Sequence, residues 1–514
     1  MSWSAVEIAF AFLLTLVSGF SIGSWRSQRR RGNLPFPPQP PGWPIIGNLL
    51  DIPSKSAWEC FMKWGEELDS DIVYANLCGS GLVVINSFDA ATDLLDKRSG
   101  IYSDRQAAPL VDDVAGFGYL VSRQKYGNAW RERRRLLHEH LRPSNSSIYE
   151  PKILEQVRRS MVQVHRRSAD DIQNIFRHMT GGIAISLAYG LPIQDKDDPG
   201  IIFAQQASLA FTNLNTGPAI FIVERFPLLR YVPAWLPGAS FKRRALKLGA
   251  YAVPFREKLF AEGKANLRTE NAINSFASCA LERARDSGKE NVDAIKDVAA
   301  IIFAAGSETT YTTISLWIRA MLVNPEVQRH LHQEVDSVVC DRLPEFSDLK
   351  KLPFLEASVM ESFRLYPSLP TGISHALSED DVYRGYFIPK GSTVLANAWA
   401  MLHNEKDYPD AMTYNPGRFI KDDAINPAVL DPRKMFYGFG RRVCAGAHIA
   451  NATLLMSAAT ILALFEIRKT DDDDRIDMGA QPGSLLRPVP YRCVLKVRNK
   501  AAESVLLHLE ESLS

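Results

Sequence analysis

The longest helical pattern in the chain runs from near Asn291 to Asn324 and stops at Pro325, which cannot continue it. A helix of that length reaches roughly 50 Å, enough to cross the whole body of a fold. Most segments around it also read as helices. Ile72 to Asn86 alternates like a strand pair with a glycine turn, and from Phe387 the chain becomes extended, punctuated by Pro389-Lys390-Gly391. Directly after Cys444, AGAHIANATLLMSAATILALF is apolar on nearly every face, as a buried helix would be. The expected class is therefore mainly α with small β-sheets. No internal repeat is evident, and the acidic run Asp471 to Asp474 reads as a solvated loop.

Composition narrows the function classes. The chain has 514 residues, 46% hydrophobic and 23% charged, which is globular and large enough to need no disulfide or metal staple. A net charge of +2 argues against nucleic acid as a partner held by bulk charge. The six cysteines form no C-x-x-C pair, so a zinc ribbon and a thioredoxin-like site are excluded, and so few suit a reducing compartment.

The N-terminus carries a separate signal. Val6 to Trp25 is predominantly apolar with Glu7 its only charge and, as a helix, matches the thickness of a bilayer. Arg26, Arg29, Arg30 and Arg31 follow at once, and no basic residue precedes the span, so the body should face the cytoplasm. A cleaved signal peptide would want a basic start and a small-residue cleavage site, and both are missing or poor. This predicts an anchor and basic stop over residues 1–31, a proline-rich hinge over 32–48, and one domain over 49–514. Five prolines between Pro35 and Pro41 make the hinge a semi-rigid spacer. In a cytoplasmic body the sequons at Asn145 and Asn451 would never meet the glycosylation machinery.

Four stretches carry candidate chemistry. YGFGRRVCAG, residues 437–446, sets Cys444 just before a helix N-terminus, where the dipole and free N–H groups favour a thiolate. Its glycines allow close approach of backbone to something flat, and Arg441 and Arg442 could meet an anionic group. A single cysteine donor suits a metal whose other ligands come from a cofactor, haem above all; a redox-sensor thiol is the local alternative. FAAGSETT, residues 303–310, removes bulk at Ala305 and Gly306. It offers the Thr309 hydroxyl, able to bond the Ala305 carbonyl, with Glu308 beside it: room for a diatomic and a proton route. Glu361 and Arg364 in ESFR, with Arg418 in YNPGRF, are weak signals singly. Trp130 and Arg134 in WRERR share a helical face that could hold a carboxylate.

Together these stretches resemble the cytochrome P450 family, and closely its membrane-anchored eukaryotic, fungal members. Gly440, Arg442, Cys444 and Gly446 match the family's cysteine loop, with Tyr437 where phenylalanine is usual; Ala305 to Thr310 match its oxygen-activating pattern. Glu361, Arg364 and Arg418 match its structural triad, although Gly417 replaces the usual glutamate. The resemblance implies haem b with Cys444 as axial thiolate, and Trp130, Arg134, His375 and Arg442 on the propionates. It implies Thr309 and Glu308 handling protons and oxygen, and electrons from NADPH-cytochrome P450 reductase, with cytochrome b5 as an additional donor. It places the chain in the endoplasmic reticulum membrane through residues 6–25, single-pass, with the catalytic domain cytoplasmic. The expected reaction is insertion of oxygen into a hydrophobic small molecule. The wording of GISHA and GYFIPKGS resembles fungal secondary-metabolism enzymes and suggests a terpenoid. An aromatic or indole-derived metabolite is the alternative substrate. A haem-thiolate isomerase or dehydratase and a haem sensor are the alternative functions, both disfavoured by the complete oxygen pattern. The substrate pocket should draw on Arg105–Ser122, Ile301–Ala305, Ser368–Ser374 and Gly483–Leu486, with Phe117, Phe303 and Leu369 among them. Tyr437 has no functional account at this level.

Overall fold

The protein is described by a computed structural model over residues 30–514, apart from 54, 167–170, 215–221, 225, 268–272, 289–290, 471–475, 482 and 514. The apolar span 6–25 and the run Asp471 to Asp474 lie outside the described residues.

Helices dominate. Those that position the site are α1 (Asn128–Leu141), α2 (Ser146–Arg166), α3 (Ile172–Tyr189), α4 (Pro199–Leu214), α5 (Ala252–Asn266), α6 (Val292–Val323), α7 (Pro353–Leu365) and α8 (Ala447–Leu464). The long helix α6 begins where Asn291 caps it, its side-chain oxygen accepting the Ala294 N–H at 3.1 Å. It ends at Asn324 because Pro325 opens the next helix. Most of its residues are buried, so packing rather than propensity holds it. Gly306 faces α3, where a Cβ would only touch the Ala184 methyl at 3.9 Å, so the approach of the two helices does not itself demand glycine. Phe303 meets Phe255 of α5 edge-on, with centroids 5.9 Å apart. The Trp317 indole donates to Ser358 of α7 at 3.0 Å. The helix α8, apolar enough to cross a membrane by composition, is mostly buried in the fold.

The principal sheet joins β1 (Ile72–Leu77), β2 (Ser80–Ile85), β3 (His375–Ala376) and β4 (Thr393–Ala396) in the order β1-β2-β4-β3. The β1–β2 turn is Cys78-Gly79, both at positive φ (53° and 87°), as a two-residue hairpin requires. The proline-rich segment lies against this sheet, where the Pro38 carbonyl accepts the Tyr74 N–H at 2.9 Å and Phe36 stacks on Tyr74, and against a separate two-stranded sheet, where Pro35 accepts from Phe387 at 2.8 Å. Prolines give no N–H, but their carbonyls still bind a strand edge.

Behind α7, Glu361 and Arg364 are fully buried. Arg364 donates to both Glu361 oxygens at 2.8 Å and to the carbonyls of Leu402 and Thr413. Arg418 donates to Glu361 Oε1 at 3.2 Å and to the Pro409 carbonyl at 2.7 Å. The three residues thus tie α7 to the irregular segment 402–418.

Candidate active site

A cavity of about 320 Å³ lies among α1, α3, α6, α8 and the loop 437–446. Cys444, Thr309, Trp130, Arg134, His375 and Arg442 all line it. Cys444 is open to this cavity, although protein surrounds it on every side. Its N–H donates to the Tyr437 carbonyl at 2.8 Å, closing the loop on itself. The loop geometry is set at Gly440, whose φ is 56° and where a Cβ would fall 2.0 Å from the Leu95 carbonyl oxygen. Burial pushes the Cys444 thiol above its ordinary value; the Gly446 N–H and the Arg134 guanidinium oppose this without overcoming it. The helix terminus alone therefore does not make the thiolate, whereas a coordinated metal ion would.

The cavity wall next to this loop is rich in guanidinium groups. Arg134 donates to the Val443 carbonyl at 2.7 Å. Arg442 donates to Ser103 and Gln124 carbonyls at 2.9 and 2.8 Å and lies 4.3 Å over the Trp130 ring. Among the described residues its buried Nη1 finds no partner. Burial lowers the Arg442 pKa to about 10. His375 donates from Nδ1 to the Tyr102 carbonyl at 2.8 Å; burial first, then Arg105, push it down to about 3, so it is neutral. Arg105, which sequence reasoning treated only as pocket lining, belongs to the same wall and spends its hydrogen bonds on the carbonyls of Ser122, Ile373 and Ser374.

The oxygen notch divides in two. Thr309 faces the cavity and donates to the Ala305 carbonyl at 2.5 Å, as its spacing predicted. Glu308 does not line the cavity. It is buried behind α6, 3.4 Å from Arg177 Nε and 3.2 Å from Arg487 Nη2. The cavity face of α6 carries the pairs 301/302, 305/306 and 309/310, and Glu308 falls just outside it, so the hydroxyl and the carboxylate are neighbours in the chain but not in the notch. A polar depression of about 290 Å³ between α2, α3 and α4 reaches Arg177 from outside; it lacks Cys444 and Thr309 and is separate from the cavity.

Pocket expectations were met unevenly. Val121, Ser122, Ile301, Ala305, Leu369 and Ile373 line the cavity. Phe117 and Phe303 do not: both are buried against other rings, Phe211 and Phe255. Gly483–Leu486 also stays outside; Leu486 donates to the Ser368 carbonyl at 2.9 Å and packs with Trp58 and Leu316. Thr180, Ile183, Ala184 and Leu187 of α3 were not foreseen. Their signal was the small and apolar run TGGIAISLAY, too buried all round to disclose which face meets a cavity. The Tyr437 hydroxyl finds its partner in Asn451 Oδ1, 2.9 Å away on α8. That same bond occupies the side chain of one of the two sequon asparagines.

These features fit a flat dianionic cofactor with a metal centre. Gly438 and Gly446 line the cavity, and a Cβ on either would meet nothing within 4 Å. The unpartnered Arg442 nitrogen and the guanidinium wall call for carboxylates. Among the described residues no cluster of three or more His, Cys, Asp or Glu could hold a metal, so a metal on Cys444 needs ligands from the cofactor itself.

Comparison with known proteins agrees. The family model for cytochrome P450 matches residues 37–495. The cytochrome P450 monooxygenase ple1 of Rhodocybe pseudopiperita is 36% identical, covering 96% of this chain and 95% of the relative. Cytochrome P450 monooxygenase 98 of Postia placenta is 35% identical over 95% of both chains. The tryptamine 4-monooxygenase of Psilocybe cyanescens is 34% identical, covering 91% of this chain and 94% of the relative. With Cys444 before a cavity shaped for a flat dianion, and with the family matched across nearly its whole length, the chain belongs to the cytochrome P450 family and is a haem-thiolate monooxygenase of fungal type.

Proposed function

We propose that haem b binds in this cavity with Cys444 as its axial thiolate, and that the enzyme hydroxylates a hydrophobic small molecule, a terpenoid of fungal secondary metabolism. The observation that carries the reading is Cys444 and Thr309 on one cavity whose walls between them are apolar. Bound there, haem supplies the electron and dioxygen chemistry by which one oxygen atom enters the substrate. The chain's own residues supply the rest. Trp130, Arg134, His375 and Arg442 hold the propionates, the Arg442 Nη1 gaining the partner it lacks. Thr309 Oγ1 passes protons into the cavity, and Glu308 replenishes them from behind α6 when it leaves Arg177 and Arg487. Glu361, Arg364 and Arg418 are structural. Residues 1–31 anchor the chain in the endoplasmic reticulum membrane, 32–48 orient it, and 49–514 form the catalytic domain facing the cytoplasm. Electrons come from NADPH-cytochrome P450 reductase, with cytochrome b5 as a second donor, as monooxygenases of this family generally require a reductase partner.

The relative named tryptamine 4-monooxygenase favours a second reading, oxidation of an aromatic or indole-derived metabolite. One experiment tests the reaction class. Candidate terpenes and indoles are incubated under ¹⁸O₂ with reductase and NADPH, without reductase, and with Thr309→Ala. Single labelled oxygen in the product, dependent on reductase and reduced by Thr309→Ala, supports the proposal. Turnover that ignores reductase refutes it in favour of an isomerase or dehydratase.

A further inference from the structure

Tyr437 stands in the cysteine loop where phenylalanine is usual, and its hydroxyl brings a proton donor into the neighbourhood of Cys444. Both side chains line the same cavity, and the Tyr437 carbonyl already holds the Cys444 N–H at 2.8 Å. They are close enough that charge on Cys444, after burial, pushes the Tyr437 phenol above its ordinary value. The ring has little room to swing. Phe436 and Phe363 meet it edge-on, with centroids 5.0 and 5.7 Å away. A phenol is protonated at neutral pH, and in such surroundings its proton needs an acceptor.

That acceptor is Asn451 Oδ1, 2.9 Å away on α8. Among the described residues it is the hydroxyl's one hydrogen-bond partner, and the Asn451 side chain makes no other hydrogen bond. Asparagine is a poor helix former, so its place in the apolar helix α8 calls for a local reason. Ala450 and Thr453 beside it line the cavity, and Asn451 does not. The bond therefore directs the Tyr437 hydroxyl out of the cavity. With an apolar side chain at 451, the phenol would keep a buried donor without a partner. The Cys444 sulfur, once a metal holds it as thiolate, is then the strong acceptor near that fixed ring.

We infer that Asn451 is a positioning residue that sequesters the Tyr437 hydroxyl from the Cys444 sulfur, so that a tyrosine in this loop leaves the thiolate as strong a donor to iron as phenylalanine would. The inference rests on the haem-thiolate reading. It makes Asn451 necessary only because residue 437 is a tyrosine. A hydrogen bond to a ligand sulfur draws charge from it and favours the reduced metal. Freeing the hydroxyl should therefore raise the equilibrium constant for one-electron reduction of the haem at least about tenfold, a shift of about 59 mV to more positive potential.

The test compares the full chain loaded with haem as wild type, Asn451→Leu, Tyr437→Phe, and Tyr437→Phe combined with Asn451→Leu. Spectroelectrochemical titration gives the reduction potential, and the reduced carbonyl complex gives the thiolate-shifted band. Asn451→Leu should raise the potential by the stated amount and move the band to shorter wavelength. Tyr437→Phe should leave both as in wild type, and the double variant should return both to wild-type values. Rescue by a second substitution separates sequestration from simple support of the loop, which predicts a double variant displaced at least as far as Asn451→Leu. An Asn451→Leu protein at wild-type potential, a Tyr437→Phe protein shifted as far as Asn451→Leu, or a double variant that stays shifted overturns the inference. Should Asn451→Leu fail to hold haem, the double variant decides: normal loading supports the inference, and failure overturns it. The wild-type spectrum separates the two levels. Its lack of thiolate-shifted absorption overturns the haem reading and this inference with it, whereas a normal wild-type spectrum with an unmoved Asn451→Leu overturns this inference alone.

Discussion

Replacing Glu361 by glutamine keeps the side-chain shape and removes the charge on which Arg364 and Arg418 converge. Glu361 and Arg364 are completely buried and Arg418 is 8% exposed, so solvent can compensate neither guanidinium. Breaking one buried ion pair by removing a partner costs about 3–5 kcal/mol. A typical domain has only about 5–15 kcal/mol to lose. Glu361→Gln should therefore sacrifice a large fraction of the stability of the segment 402–418, which these residues tie to α7. The assay follows the thiolate-shifted carbonyl absorption through a urea titration, and we predict a midpoint loss equivalent to at least about 3 kcal/mol. Arg418→Ala should cost less, about 1–3 kcal/mol, since it removes the longer contact and the more open partner. A Glu361→Gln protein within about 1 kcal/mol of the wild type would refute the argument that this ion pair is unscreened.

Three further outcomes are expected. Gly440→Ala should give almost no folded protein because its Cβ meets the Leu95 carbonyl, whereas Gly438→Ala, equally left-handed but in open space, should lose only about 1 kcal/mol; equal yields of the two would contradict the geometry. Gly446→Leu should lower haem content without lowering the urea midpoint of the haem-free protein, since its side chain would enter the cavity rather than the core. Burial depresses His140, His332 and His403 to about 4 and His375 to about 3. The unfolded chain binds these protons near pH 6.5 while the native one does not. Stability should thus fall as pH drops from about 6.5 towards 4. His140→Gln should flatten the slope in urea titrations at pH 7.5 and 5; an unchanged slope would sink that assignment.

Much of this was legible in the chain because its determinants are local. Cys444 between small residues at a helix start, Thr309 four residues after a carbonyl it can reach, and the cap and proline bounding α6 are short-range facts that tertiary packing did not alter. The strand pair at Ile72–Ile85 was legible for the same reason. What failed was facing. Ile301, Ala305, Thr309 and Thr313 lie four apart and share the cavity side, while Phe303 and Glu308 fall off that row. The cavity side of α6 recurs as the pairs 301/302, 305/306 and 309/310, so Thr309 shares it with Thr310 and not with Glu308, and only packing reveals which neighbour falls inside. Phe117, Leu486 and the α3 wall were different: their surroundings depend on elements distant in sequence. Glu308 could be assigned its partners only after folding brought Arg177 and Arg487 to it from opposite ends of the chain. Tyr437 likewise became intelligible only when Asn451 appeared beside it across the loop.

The central claim is that Cys444 ligates haem iron as a thiolate, and the reduced carbonyl complex tests it most directly. Wild-type protein, reduced and exposed to carbon monoxide, should show the thiolate-shifted absorption. Cys444→Ala should lose it, and Cys444→His should still bind haem but absorb where nitrogen-ligated carbonyl complexes do. A thiolate-shifted band that survives Cys444→Ala would contradict the account.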